Sequence, residues 1–313
     1  MPISFDGNDG NDGNDGNSGS AGNTAGTSTA WYFADRVNLP LVTEPDTGPN
    51  AANPPQMIGK LTTSIPNFPN RNWSGEWYSW LALIDFVGTG WPAMDPTTQP
   101  AWPAWVPALP AAGAPPPDWS ALNLGPQVQT EIGDLVTAAA NERADALSEI
   151  LSQSNEFTSY FLNMMTARPG AYPATTKVLG IANLVGTFVA MYFKGRYARP
   201  RPSQLCPALL PPIVVPGHAS FPSGHSTQAH LMALCMSDVF NGLPQQATML
   251  DDLWTLADCI ARNREIAGLH YPSDTTAGVA IAHCIQALLN QALPTGQPTR
   301  YQLTVAAAAQ EWV

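Results

Sequence analysis

Apolar positions recur at three- and four-residue intervals through most of residues 126–293, the spacing typical of helices that bury one face. The pattern predicts one amphipathic helix from Pro126 to Gln153 and further helices over 157–165, 175–197, 223–240, 246–267 and 273–293. The third helix is capped by Thr175 or Thr176, and the fourth begins at Ser223 or Ser226. No convincing strand alternation occurs. The fold class is therefore mostly α, a bundle of about six or seven helices.

The chain before residue 126 has a different pattern. Residues 1–29 repeat Asp-Gly-Asn and small polar residues, which bury too little apolar surface to order, so a disordered arm is favoured over a calcium-binding repeat. Residues 30–125 are rich in Pro and Trp, with one short helix expected from Glu76 to Phe86. We expect this irregular segment to wrap a catalytic bundle over 126–300, followed by a C-terminal tail over 301–313.

Charge is scarce and unevenly placed. Only 12% of residues are charged and the net charge is -11, so general attraction to nucleic acid is not expected. Six of the 13 Lys and Arg residues lie in two short segments: Lys194, Arg196, Arg199, Arg201, Arg262 and Arg264. Either they are solvated surface cations, or an acidic protein has gathered them around a small anion.

Three further features bear on the cellular location of the protein and on the state of its cysteines. Cys206, Cys235, Cys259 and Cys284 form no C-x-x-C pair and are interpreted as buried thiols. The N-terminus lacks the features of a secretory signal. The longest apolar run, from Val178 to Phe193, is about four residues short of the roughly 20 needed for a bilayer. The sequence therefore predicts a soluble, cytoplasmic protein with no membrane span. Self-association into a homo-oligomer is left open.

The first candidate for chemistry is Ser223-Gly224-His225, which follows Pro222 and precedes a long helix. Backbone N–H groups at a helix N-terminus favour an anion, and Ser223 adds a hydroxyl donor. His225 can exchange a proton near neutral pH. The tripeptide alone is a weak signal, because Pro-Ser-Gly is also an ordinary turn.

Two more segments add cations and a second histidine. Lys194 and Arg201 are seven residues apart, a spacing that brings both toward one face at the end of the third helix. Arg264 and His270 are six apart across a helix exit, and Asp274 follows His270 by four residues. A carboxylate at that distance can accept a hydrogen bond from one ring nitrogen and fix the tautomer of the other.

Together these segments resemble a known signature. The patterns Lys194-x6-Arg201-Pro202, Pro222-Ser223-Gly224-His225 and Arg264-x5-His270-x3-Asp274 are similar to the three-part motif of one superfamily. That superfamily joins type 2 phosphatidic acid phosphatases, bacterial class A acid phosphatases and vanadium-dependent haloperoxidases. The match covers about a quarter of the chain, and the resemblance implies a helical bundle with an anion site between helices.

The resemblance also implies roles. Phosphate or vanadate oxygens would be held by five residues: Lys194, Arg201, Ser223, Gly224 and Arg264. In a phosphatase His270 attacks phosphorus and His225 protonates the leaving alcohol. In a haloperoxidase His270 is the axial vanadium ligand, and hydrogen peroxide and halide react at the vanadate cofactor. Arg196, Arg199 and Arg262 do not fit the spacing, so the oxyanion arginine is assigned to Arg201.

The choice between these chemistries depends on His218. It lies five residues before Ser223, as in the haloperoxidase form of the motif. Met191 argues against that branch, because haloperoxidases usually carry Trp three residues before the lysine, and 313 residues is short for it. The preferred hypothesis is a vanadate-dependent haloperoxidase for bromide or iodide. The alternatives are a metal-independent acid phosphatase acting on phosphate monoesters, and a non-catalytic oxyanion-binding bundle.

Overall fold

The computed structural model describes residues 67–68 and 73–313, and Gly75–Val313 lie in one compact unit. The helices of this unit are α1 Gly75–Val87, α2 Trp119–Asn123, α3 Pro126–Asn141, α4 Arg143–Gln153, α5 Thr158–Met164, α6 Pro173–Tyr197, α7 Pro202–Leu205, α8 Gly224–Phe240, α9 Gln246–Ile266, α10 Pro272–Leu289 and α11 Arg300–Ala309. The described residues contain no strand, so the prediction of a mostly α fold is confirmed. The arm predicted over 1–29 lies outside the described residues.

Helix α8 is the centre of the bundle and packs against α6, α9 and α10. It is buried over nearly its whole length, including its polar residues. Gln228 Nε2 donates to Asn183 Oδ1 at 2.5 Å and to Thr187 Oγ1 at 2.8 Å, both on α6. The helices approach closely there, because a Cβ at Gly186 would lie 3.1 Å from the Gln228 side chain. This contact holds the first turns of α8 beside the middle of α6.

The single helix predicted from Pro126 to Gln153 is wrong, because the chain breaks at Glu142 into α3 and α4. The Glu142 carboxylate pairs with Arg262 at 2.7 Å. Next to it, Arg143 Nε donates to the Ile266 carbonyl at 3.0 Å, at the end of α9. These contacts turn the chain toward α9, and an apolar periodicity does not reveal them.

Part of the Pro- and Trp-rich segment, within residues 75–125, packs behind the predicted anion motif. Trp102 and Trp119 are buried, and their rings lie 5.4 and 6.4 Å from the ring of Phe221. Trp119 Nε1 also donates to the Tyr197 carbonyl at 2.6 Å, at the end of α6. The short helix expected over 76–86 is α1. Tryptophans therefore brace the residues that precede Ser223.

By sequence, residues 301–313 are predicted to form a separate C-terminal tail. In the structure this segment begins within α11, and α11 packs on α6. The Glu311 carboxylate accepts hydrogen bonds from the N–H groups of Ala174 and Thr175 at 2.7 and 2.8 Å. A carboxylate there satisfies the orphan donors and the dipole of the α6 N-terminus. The four-part division of the chain stays a prediction.

Two expectations about single segments need correction. The stretch Pro173–Leu205 is long and apolar enough to cross a membrane by length and composition, and 61% of its most apolar window is buried. The prediction that the apolar run from Val178 to Phe193 is too short for a span is therefore wrong, because the run lies within this longer apolar stretch.

The four cysteines differ in their exposure. Cys235 and Cys284 are buried, but Cys206 is half-buried and Cys259 is exposed, so the prediction of a buried thiol is wrong for Cys259.

Candidate oxyanion site

The sequence-predicted site residues come from the ends of several helices. Lys194 lies in the last turn of α6 and Arg264 in the last turn of α9. Ser223 is the N-cap of α8, and its Oγ accepts from the Ser226 N–H at 3.3 Å. Asp274 lies in the first turn of α10. These helix ends, with the loops that join them, enclose a small polar region.

Lys194 is brought to the start of α8. It is 2% exposed, and its ammonium donates to the carbonyls of Ala219 and Ser220 at 2.9 and 3.1 Å. A Cβ placed on Gly224 would lie 3.9 Å from Lys194 Cε. The lysine and the N-terminus of α8 therefore share one small space, where both favour negative charge.

Arg201 joins three segments. Its Nε donates to the His218 carbonyl at 3.0 Å, and Nη2 lies 3.1 Å from His218 Nδ1. Its Nη1 donates to the Leu269 carbonyl at 3.1 Å and lies 3.1 Å from His270 Nε2. The guanidinium is thus aimed at the histidine from the third motif, and His218 fixes its opposite edge.

The hydrogen bonds of His270 determine its tautomer. Nδ1 lies 3.1 Å from Asp274 Oδ2, a carboxylate oxygen that accepts, so Nδ1 carries the hydrogen. Nε2 faces Arg201, which only donates, so Nε2 presents a lone pair. Complete burial, together with the charge of Arg201, lowers the pKa of His270 to about 3. His270 is therefore a neutral imidazole with its lone pair on the side of the cations.

Asp274 is a buried, ionised carboxylate. Burial acts to raise its pKa, but the charge of Arg199 and the hydrogen bond from His270 outweigh burial and hold the pKa below its usual range. Oδ2 also accepts from the Ser220 hydroxyl and, at 3.2 Å, from the Tyr271 N–H. Its backbone carbonyl accepts from the Ser223 N–H at 3.0 Å. One residue therefore links His270 to the anion motif.

His225 and Arg264 meet at the end of α4. His225 Nε2 donates to the Gln153 carbonyl at 3.0 Å, and its ring lies 5.0 Å from that of Phe157. Arg264 Nη2 donates to the Ile150 carbonyl at 2.9 Å, and the residue is fully buried. The last turn of α4 thus accepts hydrogen bonds from both a cation and an imidazole N–H.

Sequence reasoning missed three residues that contact this site. Arg199, set aside on spacing, pairs with Asp274 at 2.7 Å and with Glu131 at 3.1 Å. Burial raises the pKa of Glu131, and Arg199 opposes that change. Ser220 bonds Asp274. The duplicated Arg-Pro of 199–202 was a sequence signal for Arg199, whereas no local pattern marks Glu131 or Ser220.

A cleft of about 710 Å³ opens beside Arg201. It is lined by polar side chains that include Ser203, Gln204 and His218, and by Val215. The chain between the lining residues Gln204 and Val215 exposes Leu205, Leu210 and Val214, with 39%, 74% and 71% of their surfaces accessible. Across residues 67–68 and 73–313, no three or more His, Cys, Asp or Glu side chains are grouped as a metal site requires.

Comparison with known proteins identifies relatives of this region. The family model described as the PAP2 superfamily matches residues 175–297, which confirms the resemblance read from the three motifs. Decaprenylphosphoryl-5-phosphoribose phosphatases from two strains of Mycobacterium tuberculosis are 31% identical over 113 residues. The match covers 36% of this chain, which spans 58% of the length of those relatives.

One solved structure is also similar, the first transmembrane PAP2 type phosphatidylglycerolphosphate phosphatase from Bacillus subtilis. It is 15% identical, with a TM-score of 0.29 over 68% of this chain and 90% of that one. A likeness this weak in geometry supports no conclusion about this protein.

These findings correct the preferred functional hypothesis. The curated relatives that this chain matches are phosphatases, so the prediction of a haloperoxidase is wrong. The vanadate cofactor, the axial vanadium ligation by His270 and the partners hydrogen peroxide and halide are withdrawn with it. The position of His218 does not indicate a haloperoxidase. Its ring contacts Arg201, and a contact with that arginine is compatible with a phosphatase as well as with a haloperoxidase. The prediction of a cytoplasmic protein without a membrane span is contradicted as well, because the stretch Pro173–Leu205 is long and apolar enough to cross a membrane by length and composition.

Proposed function

From the premise that residues 175–297 belong to the PAP2 superfamily, we propose that the protein is a phosphatase that hydrolyses phosphate monoesters through a phosphohistidine at His270. One observation carries the proposal: His270 presents the lone pair of Nε2 toward Arg201 while Asp274 holds Nδ1–H. A neutral imidazole fixed in this tautomer is a competent nucleophile beside a site for an oxyanion.

The phosphoryl oxygens are bound by the cations and by the start of α8. Lys194, Arg201 and Arg264 neutralise their charge, and the Ser223 hydroxyl and Gly224 N–H donate to them. These donors strengthen their hold as charge develops in the transition state. His218 supports the site by contacting Nε and Nη2 along one edge of Arg201.

The reaction proceeds in two displacements. His270 Nε2 attacks phosphorus, a P–N bond forms and the P–O bond to the alcohol breaks, while His225 in its imidazolium form gives a proton to the leaving oxygen and becomes neutral. Water then attacks phosphorus, His225 takes its proton, the P–N bond breaks and inorganic phosphate leaves. In the structure His225 Nε2 is engaged by the Gln153 carbonyl, so the first step requires the ring to exchange that carbonyl for the leaving oxygen.

The substrate is proposed to carry an apolar chain. The names of the Mycobacterium tuberculosis relatives describe a decaprenyl-linked substrate. Exposed Leu205, Leu210 and Val214 lie in the chain between Gln204 and Val215, two residues that line the cleft beside Arg201, and they favour an apolar alcohol group over a charged one.

The test is hydrolysis by the purified full chain of a chromogenic phosphate monoester and of long-chain alkyl phosphates. We expect phosphate release that inorganic vanadate inhibits competitively, abolition in His270→Ala, and higher kcat/KM for the long-chain esters. Full activity in His270→Ala would refute the assigned nucleophile. Equal kcat/KM for short and long chains would refute the apolar substrate.

A further inference from the structure

Arg199 is a buried cation enclosed by aromatic rings. None of its surface is accessible, and its guanidinium carbon lies 3.7 Å from the ring centre of Tyr271. The rings of Trp105 and Trp119 are 5.2 and 5.1 Å away. Burying a charge this completely is costly unless it is paired and hydrogen-bonded, so its partners indicate why it is there.

Those partners are two carboxylates and a hydroxyl. Arg199 Nη1 donates to Asp274 Oδ1 and to Ser273 Oγ, both at 2.7 Å, and Nη2 donates to Glu131 Oε2 at 3.1 Å. Glu131 also accepts from the Ser273 N–H at 2.7 Å and from its hydroxyl at 2.9 Å. Glu131 therefore ties Arg199 to the first turn of α10, where Asp274 lies.

Arg199 and His270 bind opposite oxygens of the same carboxylate. Oδ1 of Asp274 takes the guanidinium, and Oδ2 takes His270 Nδ1–H. The plane of the carboxylate is thus set by Arg199 on one side, and that plane sets the direction in which the imidazole can donate. On the other side of the ring, Arg201 Nη1 lies 3.1 Å from His270 Nε2.

We propose that Arg199, held by Glu131 and the aromatic rings, is a positioning residue that fixes the orientation and tautomer of His270 through Asp274. Its catalytic consequence rests on the proposed function. Arg199 lies outside the three-part signature, and Glu131, Trp105 and Trp119 lie outside the matched residues 175–297. Residues between 105 and 131 therefore complete the nucleophile's support, and the Trp-rich part among them is more than a surface wrap.

The kinetic test uses Arg199→Lys and Glu131→Gln, with Arg262→Gln as the matched control. Arg262 also pairs with two carboxylates, Glu142 and Glu265, but is exposed and does not contact Asp274. We expect Arg199→Lys and Glu131→Gln to lower kcat on the order of 10- to 100-fold, since misplacing a nucleophile has that effect. KM and the inhibition constant of vanadate should change less than about twofold, because the anion-binding residues are untouched.

A double-variant cycle shows whether the effect passes through Asp274. In an Asp274→Asn background, Arg199→Lys should lower kcat by less than about threefold further, since the link is already lost. The inference is overturned if the two losses multiply in full, if KM alone changes, or if Arg262→Gln lowers kcat as much as Arg199→Lys.

A second measurement needs no turnover. The chain has five histidines, so nitrogen NMR of ¹⁵N-histidine-labelled protein resolves the ring tautomers, with His270→Gln identifying the His270 signals. We expect protonated Nδ1 and unprotonated Nε2 in the wild type, and a shift toward mixed tautomers in Arg199→Lys and Glu131→Gln. Unchanged His270 signals in both variants would overturn the positioning role, even if phosphatase activity is found. Absent phosphatase activity with shifted signals would refute the proposed function and leave the positioning intact.

Discussion

Replacement of Gly278 by Ala tests how closely α10 must approach the anion motif. A Cβ at Gly278 would lie 2.8 Å from both Cβ and Oγ of Ser226 and 3.0 Å from the Ser223 carbonyl oxygen. Real Cβ atoms do not come this close, and a backbone carbonyl cannot rotate away. The start of α8 must therefore move, and with it the donors of Ser223 and Gly224.

The expected loss of stability is the difference of two effects. Overpacking of a filled core costs about 1–3 kcal/mol, and contacts at this distance place Gly278→Ala at the upper end. Replacing Gly by Ala within a helix returns about 1 kcal/mol. We therefore expect the free energy of unfolding to fall by about 2 kcal/mol, and kcat to fall with it.

The matched control is Gly133→Ala in the interior of α3, where a Cβ meets nothing within 4 Å. That variant should gain about 0.5–1 kcal/mol, because only the helix propensity changes. Both free energies are measured by urea unfolding followed by circular dichroism, and kcat is measured on the chromogenic ester. If Gly278→Ala is as stable and active as Gly133→Ala, the close approach of α10 to α8 is wrong.

Three further changes have defined outcomes. Ser220→Ala removes a hydrogen bond to the buried Asp274 carboxylate and should cost about 1–3 kcal/mol in urea unfolding; an unchanged midpoint would contradict that contact. In the folded protein His270 has a pKa of about 3 and stays neutral at pH values where the histidine of the unfolded chain takes up a proton. The free energy of unfolding therefore falls as the pH falls below about 6.5. Between pH 7 and pH 5 this loss is about 2 kcal/mol and should be absent in His270→Asn; equal slopes would refute it. Arg201→Lys loses the planar fork and should raise the inhibition constant of vanadate by about tenfold, and an unchanged constant would argue against its place at the anion.

Much of the fold follows from local patterns, because helices that pack on one face repeat their apolar residues with helical spacing. Helix α6 ends at Tyr197 and α8 at Phe240, as the apolar periodicity and the prolines indicate. Helix α11 was missed although Thr299 and Gln302 form a capping box that the sequence contains. The break at Glu142 was not predictable, because the apolar spacing continues through it and Arg262, which Glu142 contacts there, lies 120 residues away.

The site shows the same limit. Lys194 and His270 were found because their spacing to neighbouring residues forms a motif. Arg199 was rejected because it does not fit that motif, yet it bonds Asp274 directly. A buried ionic network of this kind joins residues from different helices, such as Glu131 on α3, and local spacing carries no record of it. The incorrect prediction of a haloperoxidase has another cause. Phosphatases and haloperoxidases of this superfamily share the oxyanion site, so the residues of that site do not specify the reaction, and the position of His218 did not decide between them.

The most direct test of the proposed function is to trap the phosphoenzyme. The full chain is mixed with a ³²P-labelled phosphate monoester, quenched in alkali within the first turnover, digested and sequenced by mass spectrometry. The account predicts a phosphoryl group on His270, accumulation of that intermediate in His225→Ala when the alcohol is a good leaving group, and none in His270→Ala. Steady turnover without label on His270, or with the label on another residue, would contradict it.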